Sequence, residues 1–156
     1  MSARPQIVRK TAGRRGSVLV ELTLSLTFLT ALFLGCWEYG YAYYNYAELE
    51  QAVRAGARYA SNIRYDTATA TPSATVLTAV QNVVVYGDPA PANGATPVAP
   101  GLTTSNVTLT PTFNNGVPVS MTVAITGYQV PTYFGTTTLN GKPTTVFPFV
   151  GIYGPP

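Results

Sequence analysis

Apolar residues run almost unbroken from Ser17 to Trp37, then recur every third or fourth position as far as Ala60. Beyond Val107 they alternate one for one with polar residues. These three rhythms predict three kinds of element. The first stretch holds eleven Val, Leu or Phe residues and a single carboxylate, Glu21. At about 1.5 Å rise per residue, some twenty helical residues span roughly 30 Å, the hydrocarbon thickness of a bilayer. The eleven large apolar residues favour insertion by about 3–7 kcal/mol. A carboxylate at the bilayer centre costs about 2.5–3.5 kcal/mol, and less near an end, where Glu21 lies. The segment therefore inserts despite its charge, and residues 17–37 are predicted to form a transmembrane helix.

The second rhythm continues the helix as a stalk over residues 38–64. No proline interrupts it, and its second half is rich in Ala, Glu, Gln and Arg, all good helix formers. Ala42, Tyr46, Leu49, Val53, Ala57 and Ala60 form one apolar face. Glu50 and Arg54 stand four apart in the favourable order. Ala52, Gly56 and Ala60 make a row of small residues that lets another element approach closely. That element is either the chain's own head or a neighbouring subunit. Trp37, Tyr39, Tyr41, Tyr43, Tyr44 and Tyr46 cluster where the helix leaves lipid, as an interfacial aromatic belt does.

The remainder, residues 65–156, reads as a small head. Thr71 as N-cap and Pro72 at the first helical position begin a short helix with an apolar face of Val76, Leu77, Val80, Val83 and Val84. Gly87 stops it. A Pro- and Gly-rich loop follows over 88–105. Val107, Leu109, Pro111 and Phe113 then alternate with threonines. Val117, Val119, Met121, Val123 and Ile125 alternate with smaller or polar residues, and Asn115-Gly116 joins the two runs as a hairpin turn. On strict alternation Val119, Met121, Val123 and Ile125 face the core. Asn140-Gly141 suggests a second hairpin. The tail TTVFPFVGIYGPP either completes the sheet or meets a partner. The expected fold class is α+β: a long N-terminal helix, then a head with a short helix and antiparallel β-hairpins.

Charge fixes the expected orientation. Of 156 residues only 10% are charged, and the formal net charge of +3 is unevenly placed. Arg4, Arg9, Lys10, Arg14 and Arg15 crowd a basic leader, residues 1–16. From Gly16 onward four bases meet six acids. The positive-inside rule keeps the leader cytoplasmic and puts the head outside, making a single-pass protein. No basic surface interleaved with aromatics suggests nucleic acid. Histidine is absent and Cys36 is the lone cysteine, so an intrachain disulfide and a Cys/His metal cluster are both excluded. No phosphate-cradling loop with a lysine is present. We expect no catalytic residues, no cofactor, no metal and no small-molecule substrate. Asn106-Val107-Thr108 matches the N-glycosylation triplet, a short pattern that chance readily supplies.

Three processing fates are open for the apolar run. Leu32-Phe33-Leu34-Gly35 is a poor signal-peptidase site. Gly35-Cys36 resembles a lipoprotein site, without the usual residues before it. Cleavage after Gly16 leaves Ser17 first and Glu21 fifth. Basic residues, glycine, then an apolar helix with a glutamate at its fifth position resembles the type IV prepilin signal. The resemblance implies that a prepilin peptidase cuts between Gly16 and Ser17 and that Glu21 neutralises the new α-amino group during assembly.

Glu38, Tyr39, Gly40, Asn45, Ala52, Arg54, Gly56, Ala57, Arg58, Tyr59 and Ala60 sharpen the likeness. Over Arg14 to Ser61 the chain resembles the TadE-like family, minor pilins or pseudopilins of the tight-adherence pilus. Leu22 departs from it, since an aromatic residue often follows the glutamate there. The resemblance implies a structural subunit in the bacterial inner membrane whose partners are other pilin-like subunits, the assembly platform and the peptidase. Assembly contacts would fall at Glu21, Ala52, Gly56 and Ala60. The alternative is a membrane-tethered extracytoplasmic binding domain, unprocessed or lipidated, that never enters a filament.

Overall fold

The change of rhythm near Trp37 leaves the helix unbroken. The structure is a computed structural model that describes residues 13–132 and 135–155, with side chains from residue 16 onward. One helix, α1, covers Gly13–Asn62. The chain divides into two compact units, Met1–Tyr39 and Gly40–Pro156, and α1 contributes to both. It closes on side-chain donors: Ser61 Oγ and Asn62 Nδ2 each donate to the Arg58 carbonyl at 2.8 Å. The Ile63 amide donates to the Tyr59 carbonyl at 3.1 Å, satisfying one of the carbonyls that a helix end leaves without an intrahelical partner.

In the second unit the apolar stripe of α1 forms one wall of the core. Leu49, Val53 and Ala57 are fully buried, as are Val80 and Val84 of the short helix α2, Ala74–Tyr86. The cap of α2 lies two residues later than the sequence suggests. Ser73, not Thr71, is the N-cap, and its side chain accepts the Val76 amide at 3.3 Å. The Thr71 carbonyl instead accepts the Thr67 hydroxyl at 2.9 Å, within the turn that precedes the helix. Gly87 ends α2 as expected, in the left-handed region at φ 76°. Seven of the thirteen α2 residues are β-branched, which lowers intrinsic helix propensity. Packing of Val76, Val80, Val83, Val84 and Val85 holds the helix instead.

A single-turn 3-10 helix, Thr104–Asn106, leads into a three-stranded antiparallel sheet of order β1-β2-β3. The strands are β1, Val107–Asn114, β2, Val117–Pro131, and β3, Thr136–Pro148. Asn115 (φ 50°) and Gly116 (φ 77°) make the first hairpin turn with two consecutive left-handed residues, as Asn-Gly predicts. Gln81 Nε2 donates to the Val107 carbonyl at 3.2 Å and ties α2 to β1. The 88–105 segment carries Ala99 and Leu102 into the core, and the Pro100 carbonyl accepts the Tyr128 hydroxyl at 2.9 Å.

Two expectations about the sheet are corrected. Met121, Val123 and Ile125 are buried, but Val119 is 42% exposed. Thr112 pairs with Ser120 and Phe113 with Pro118, so Val119 is the extra residue of a β-bulge. The bulge reverses the alternation and sends Pro118 inward instead. Nor is Asn140-Gly141 a hairpin turn. The β2–β3 connection lies between Pro131 and Thr136, and Asn140 sits inside β3, paired with Thr126. The register shifts there, and Asn140 Oδ1 accepts the Gly127 amide at 3.1 Å. Gly127 (φ 69°) supplies the positive φ on the facing strand. A second reversal of alternation follows, and the next buried residues are Tyr128 and Val130.

The tail completes the head. Beyond β3 it leaves the sheet for the end of α1. Val150 N–H donates to the Ser61 carbonyl at 3.0 Å, Tyr65 N–H to Ile152 at 2.9 Å, and Gly154 N–H to Tyr65 at 3.1 Å. Gly151 passes so close that an added Cβ would sit 2.4 Å from the Ile63 carbonyl oxygen and 3.0 Å from that of Asn62. Gly151→Val is therefore expected to detach the tail, lowering stability by about 1–3 kcal/mol. Faster amide exchange confined at first to Tyr65, Val150 and Gly154 is the measurement that checks it.

Tyr65 and Tyr128 are almost wholly buried, and burial pushes both phenols above their ordinary value of 10.0. Asp66 and Tyr153 add to the rise at Tyr65 against a lowering hydrogen bond with Thr67; Tyr41 adds to it at Tyr128. A raised folded value means that the unfolded chain ionises first. The stabilisation is complete below about pH 10 and is lost as pH climbs through the folded values. Melting temperature is expected to be level from pH 7 to 9 and to fall above 10, less steeply in Tyr65→Phe. A melting temperature as flat above pH 10 as below it would contradict this.

Candidate membrane and assembly site

The N-terminal part of α1 is long and apolar enough to cross a membrane, and none of its most apolar window is buried within the chain. Val18, Leu19, Val20, Leu22, Leu24, Leu26, Phe28 and Leu29 are each at least 60% exposed. Three threonines in the run neutralise their own polarity. Thr23, Thr27 and Thr30 each donate at 2.8 Å to the carbonyl four residues earlier: Leu19, Thr23 and Leu26. A hydroxyl bonded in this way needs no partner from lipid. Phe33 and Trp37 stack with ring centroids 6.5 Å apart. Trp37, Tyr39, Tyr43 and Tyr44 are exposed, while Tyr41 and Tyr46 of the expected belt are half-buried.

Gly16 and Ser17 lie in this helix, and a Cβ added at Gly16 would meet nothing within 4 Å. Glu21 is exposed and stands four residues after Ser17, so the two share a helix face. Arg4, Arg9 and Lys10 fall outside the described residues, and the side chains of Arg14 and Arg15 are likewise not described.

The row of small residues is placed differently. Ala52 is 8% and Ala60 1% exposed, and Gly56 is buried between them. A Cβ at Gly56 would lie 2.2 Å from Val84 Cγ2 and 3.8 Å from the Val80 carbonyl oxygen. Of the two surroundings the sequence left open, the structure shows the head's own α2 against Gly56. Gly16, Ser17 and Glu21 belong to the first unit and the small row to the second. Asn45 is almost fully buried, with Nδ2 donating to the Tyr41 carbonyl at 2.8 Å. Arg54 pairs with Glu50 at 2.5 Å.

Sequence reasoning missed an open groove of about 690 Å3, lined by Arg54, Arg58, Tyr59, Val83, Gly87 and Phe147. Residues from α1, α2 and β3 meet there, and no local pattern announces a meeting of three such distant segments. The glycosylation triplet has a structural use: Asn106 Oδ1 accepts the Thr103 amide at 3.1 Å, and its Nδ2 donates to the Thr126 carbonyl at 3.2 Å.

Among the described residues, one helix long and apolar enough to cross a membrane precedes a small α+β head. Residues 16–58, within that helix, match the family model of TadE-like proteins. The match opens at Gly16 and closes at Arg58, within the last turn of the small-residue row, and leaves the head outside it. No curated protein and no solved structure matches the chain.

Proposed function

We propose that this chain is an assembly subunit, a minor pilin or pseudopilin, of a tight-adherence pilus or a related secretion apparatus. The observation that carries the reading is the TadE-like match over residues 16–58. It falls on a helix whose apolar side chains are exposed along the length of a bilayer. In this reading the basic leader stays on the cytoplasmic side of the inner membrane and the head lies outside. A prepilin peptidase cuts between Gly16 and Ser17. The new ammonium of Ser17 is costly to leave unpaired near lipid, and so is the Glu21 carboxylate. Pairing them, within one subunit or between neighbours, relieves both. The spanning helices then pack as the subunit enters the apparatus.

Mass analysis of the membrane-extracted protein, from cells with an active prepilin peptidase, tests this. A chain beginning at Ser17 is expected. Gly16→Phe is expected to abolish processing and leave insertion intact, because the apolar run is unchanged. Glu21→Gln is expected to permit insertion and cleavage but to lower recovery in sheared surface fractions at least tenfold. A lipidated chain beginning at Cys36, or an uncleaved chain, would overturn the reading in favour of a tethered binding domain.

A further inference from the structure

The open groove where α1, α2 and β3 meet has a lining of two unlike kinds. Val83 and Phe147 present apolar surface to it, and the Tyr59 and Phe147 side chains are only half-buried. Gln51, Arg54, Arg58 and Asn62, on successive turns of α1, are polar and exposed. The charges there do not cancel. Arg54 is paired with Glu50. Asp88, beside the lining residues Gly87 and Pro89, accepts the Ala90 amide on its Oδ1 at 2.8 Å. Among the described residues Arg58 has no carboxylate and no hydrogen-bond acceptor for its guanidinium. An unpaired arginine in open water is ordinary. Beside a concave apolar surface it attracts an anion more strongly, because less water screens the charge.

We propose that this groove docks an extended segment of another polypeptide in which an Asp or Glu stands next to a large apolar side chain. Arg58 offers a fork of donors that matches a carboxylate. Val83, Phe147 and the Tyr59 ring cover an apolar side chain beside it. Gln51, toward the other end, carries both a donor and an acceptor and suits a backbone amide. The size fits. The α1 side of the groove, from Gln51 to Asn62, is about 16 Å long at about 1.5 Å per residue, the reach of roughly five extended residues. Its volume of about 690 Å3 is that of a site for a few side chains. A small inorganic anion would satisfy Arg58 and leave the apolar surface wet. A purely apolar segment would cover that surface and leave Arg58 unpaired. A carboxylate-bearing peptide does both at once. Every lining residue lies in the unit Gly40–Pro156, so the inference holds whether or not the leader is removed or the chain enters a pilus.

The test uses the full chain in dodecylmaltoside and the peptide acetyl-Gly-Leu-Asp-Phe-Gly-amide with its phenylalanine fluorinated, so that fluorine NMR reads binding in every variant. The parent chain is expected to shift and broaden the fluorine signal at millimolar peptide. The same peptide with Asn for Asp is expected to bind about tenfold more weakly, the effect of losing one charge-assisted contact. Arg58→Gln is expected to bind the Asp and Asn peptides alike. Ala55→Trp, which fills the groove and keeps every charge, is expected to abolish binding. Both positions are exposed, and unchanged melting verifies that each variant folds. With nitrogen-labelled arginine, the Arg58 side-chain signal is expected to move on adding peptide and that of Arg64 to stay. No binding at millimolar peptide, equal binding of the two peptides to the parent, or an Ala55→Trp chain that binds like the parent would overturn the proposal. So would an Arg58 signal that moves when phosphatidylglycerol joins the micelles but not with the peptide, because a lipid headgroup would then be the occupant.

Discussion

Met121→Asp is expected to cost the head about 3–5 kcal/mol, while Val119→Asp, two residues away on the same strand, costs less than about 1 kcal/mol. Met121 is 1% exposed and pairs with Pro111 on one side and Phe147 on the other, so a carboxylate there is buried without a partner. Val119 is 42% exposed at the bulge and keeps its carboxylate in water. Urea unfolding of the full chain in detergent, followed by tyrosine near-UV dichroism, measures both. Equal losses would mean that β2 lacks the bulge and alternates strictly along its length.

Gly56→Leu is expected to cost about 3 kcal/mol or more, the high end of overpacking a filled core. The cause is the 2.2 Å approach that any Cβ would make to Val84 Cγ2. Val84 is fully buried and β-branched, so it has little freedom to turn away. Gly56→Ala sharpens the result, because on an exposed helix it would stabilise by about 1 kcal/mol. Here a net loss of about 1–2 kcal/mol is expected. Adding Val84→Ala to Gly56→Ala is expected to recover part of the loss, and a double-mutant cycle reads the coupling directly. A Gly56→Ala chain more stable than the parent would contradict the contact.

The parts of the fold legible in the sequence depend on neighbours along the chain. The apolar run, the stop at Gly87 and the left-handed pair Asn115-Gly116 each rest on local backbone preference or local periodicity. The parts that were not legible depend on pairing. A strand's alternation holds only while its register holds, and β2 breaks register at Val119 and again near Gly127. Each break turns over the residues on its far side, so that Pro118 before the bulge and Tyr128 after Gly127 are inside where counting from Met121, Val123 and Ile125 puts them outside. Asn140-Gly141 carries the signature of a turn but serves as an irregularity inside β3, where Asn140 meets Gly127. The same limit applies to the candidate site. Gly16, Ser17 and Glu21 are legible because their spacing is local. The small-residue row was legible as a close-packing surface, but its neighbour, Val84, lies 28 residues further along the chain than Gly56.

The tie between the tail and the end of α1 bears on how the protein is made. Tyr65 emerges from the ribosome early, yet its backbone is held by Ile152 and Gly154, and Arg64 reaches Gly154 across 90 residues of chain. A helix of mostly β-branched residues does not persist before the sheet arrives to cover it, and the sheet is not complete until β3 is synthesised. The head therefore closes late during translation, once the segment around Val150–Gly154 is free to reach Ser61 and Tyr65. A chain cut before Phe149 would lack every tail bond to Ser61 and Tyr65, and its head is expected to stay open to proteases.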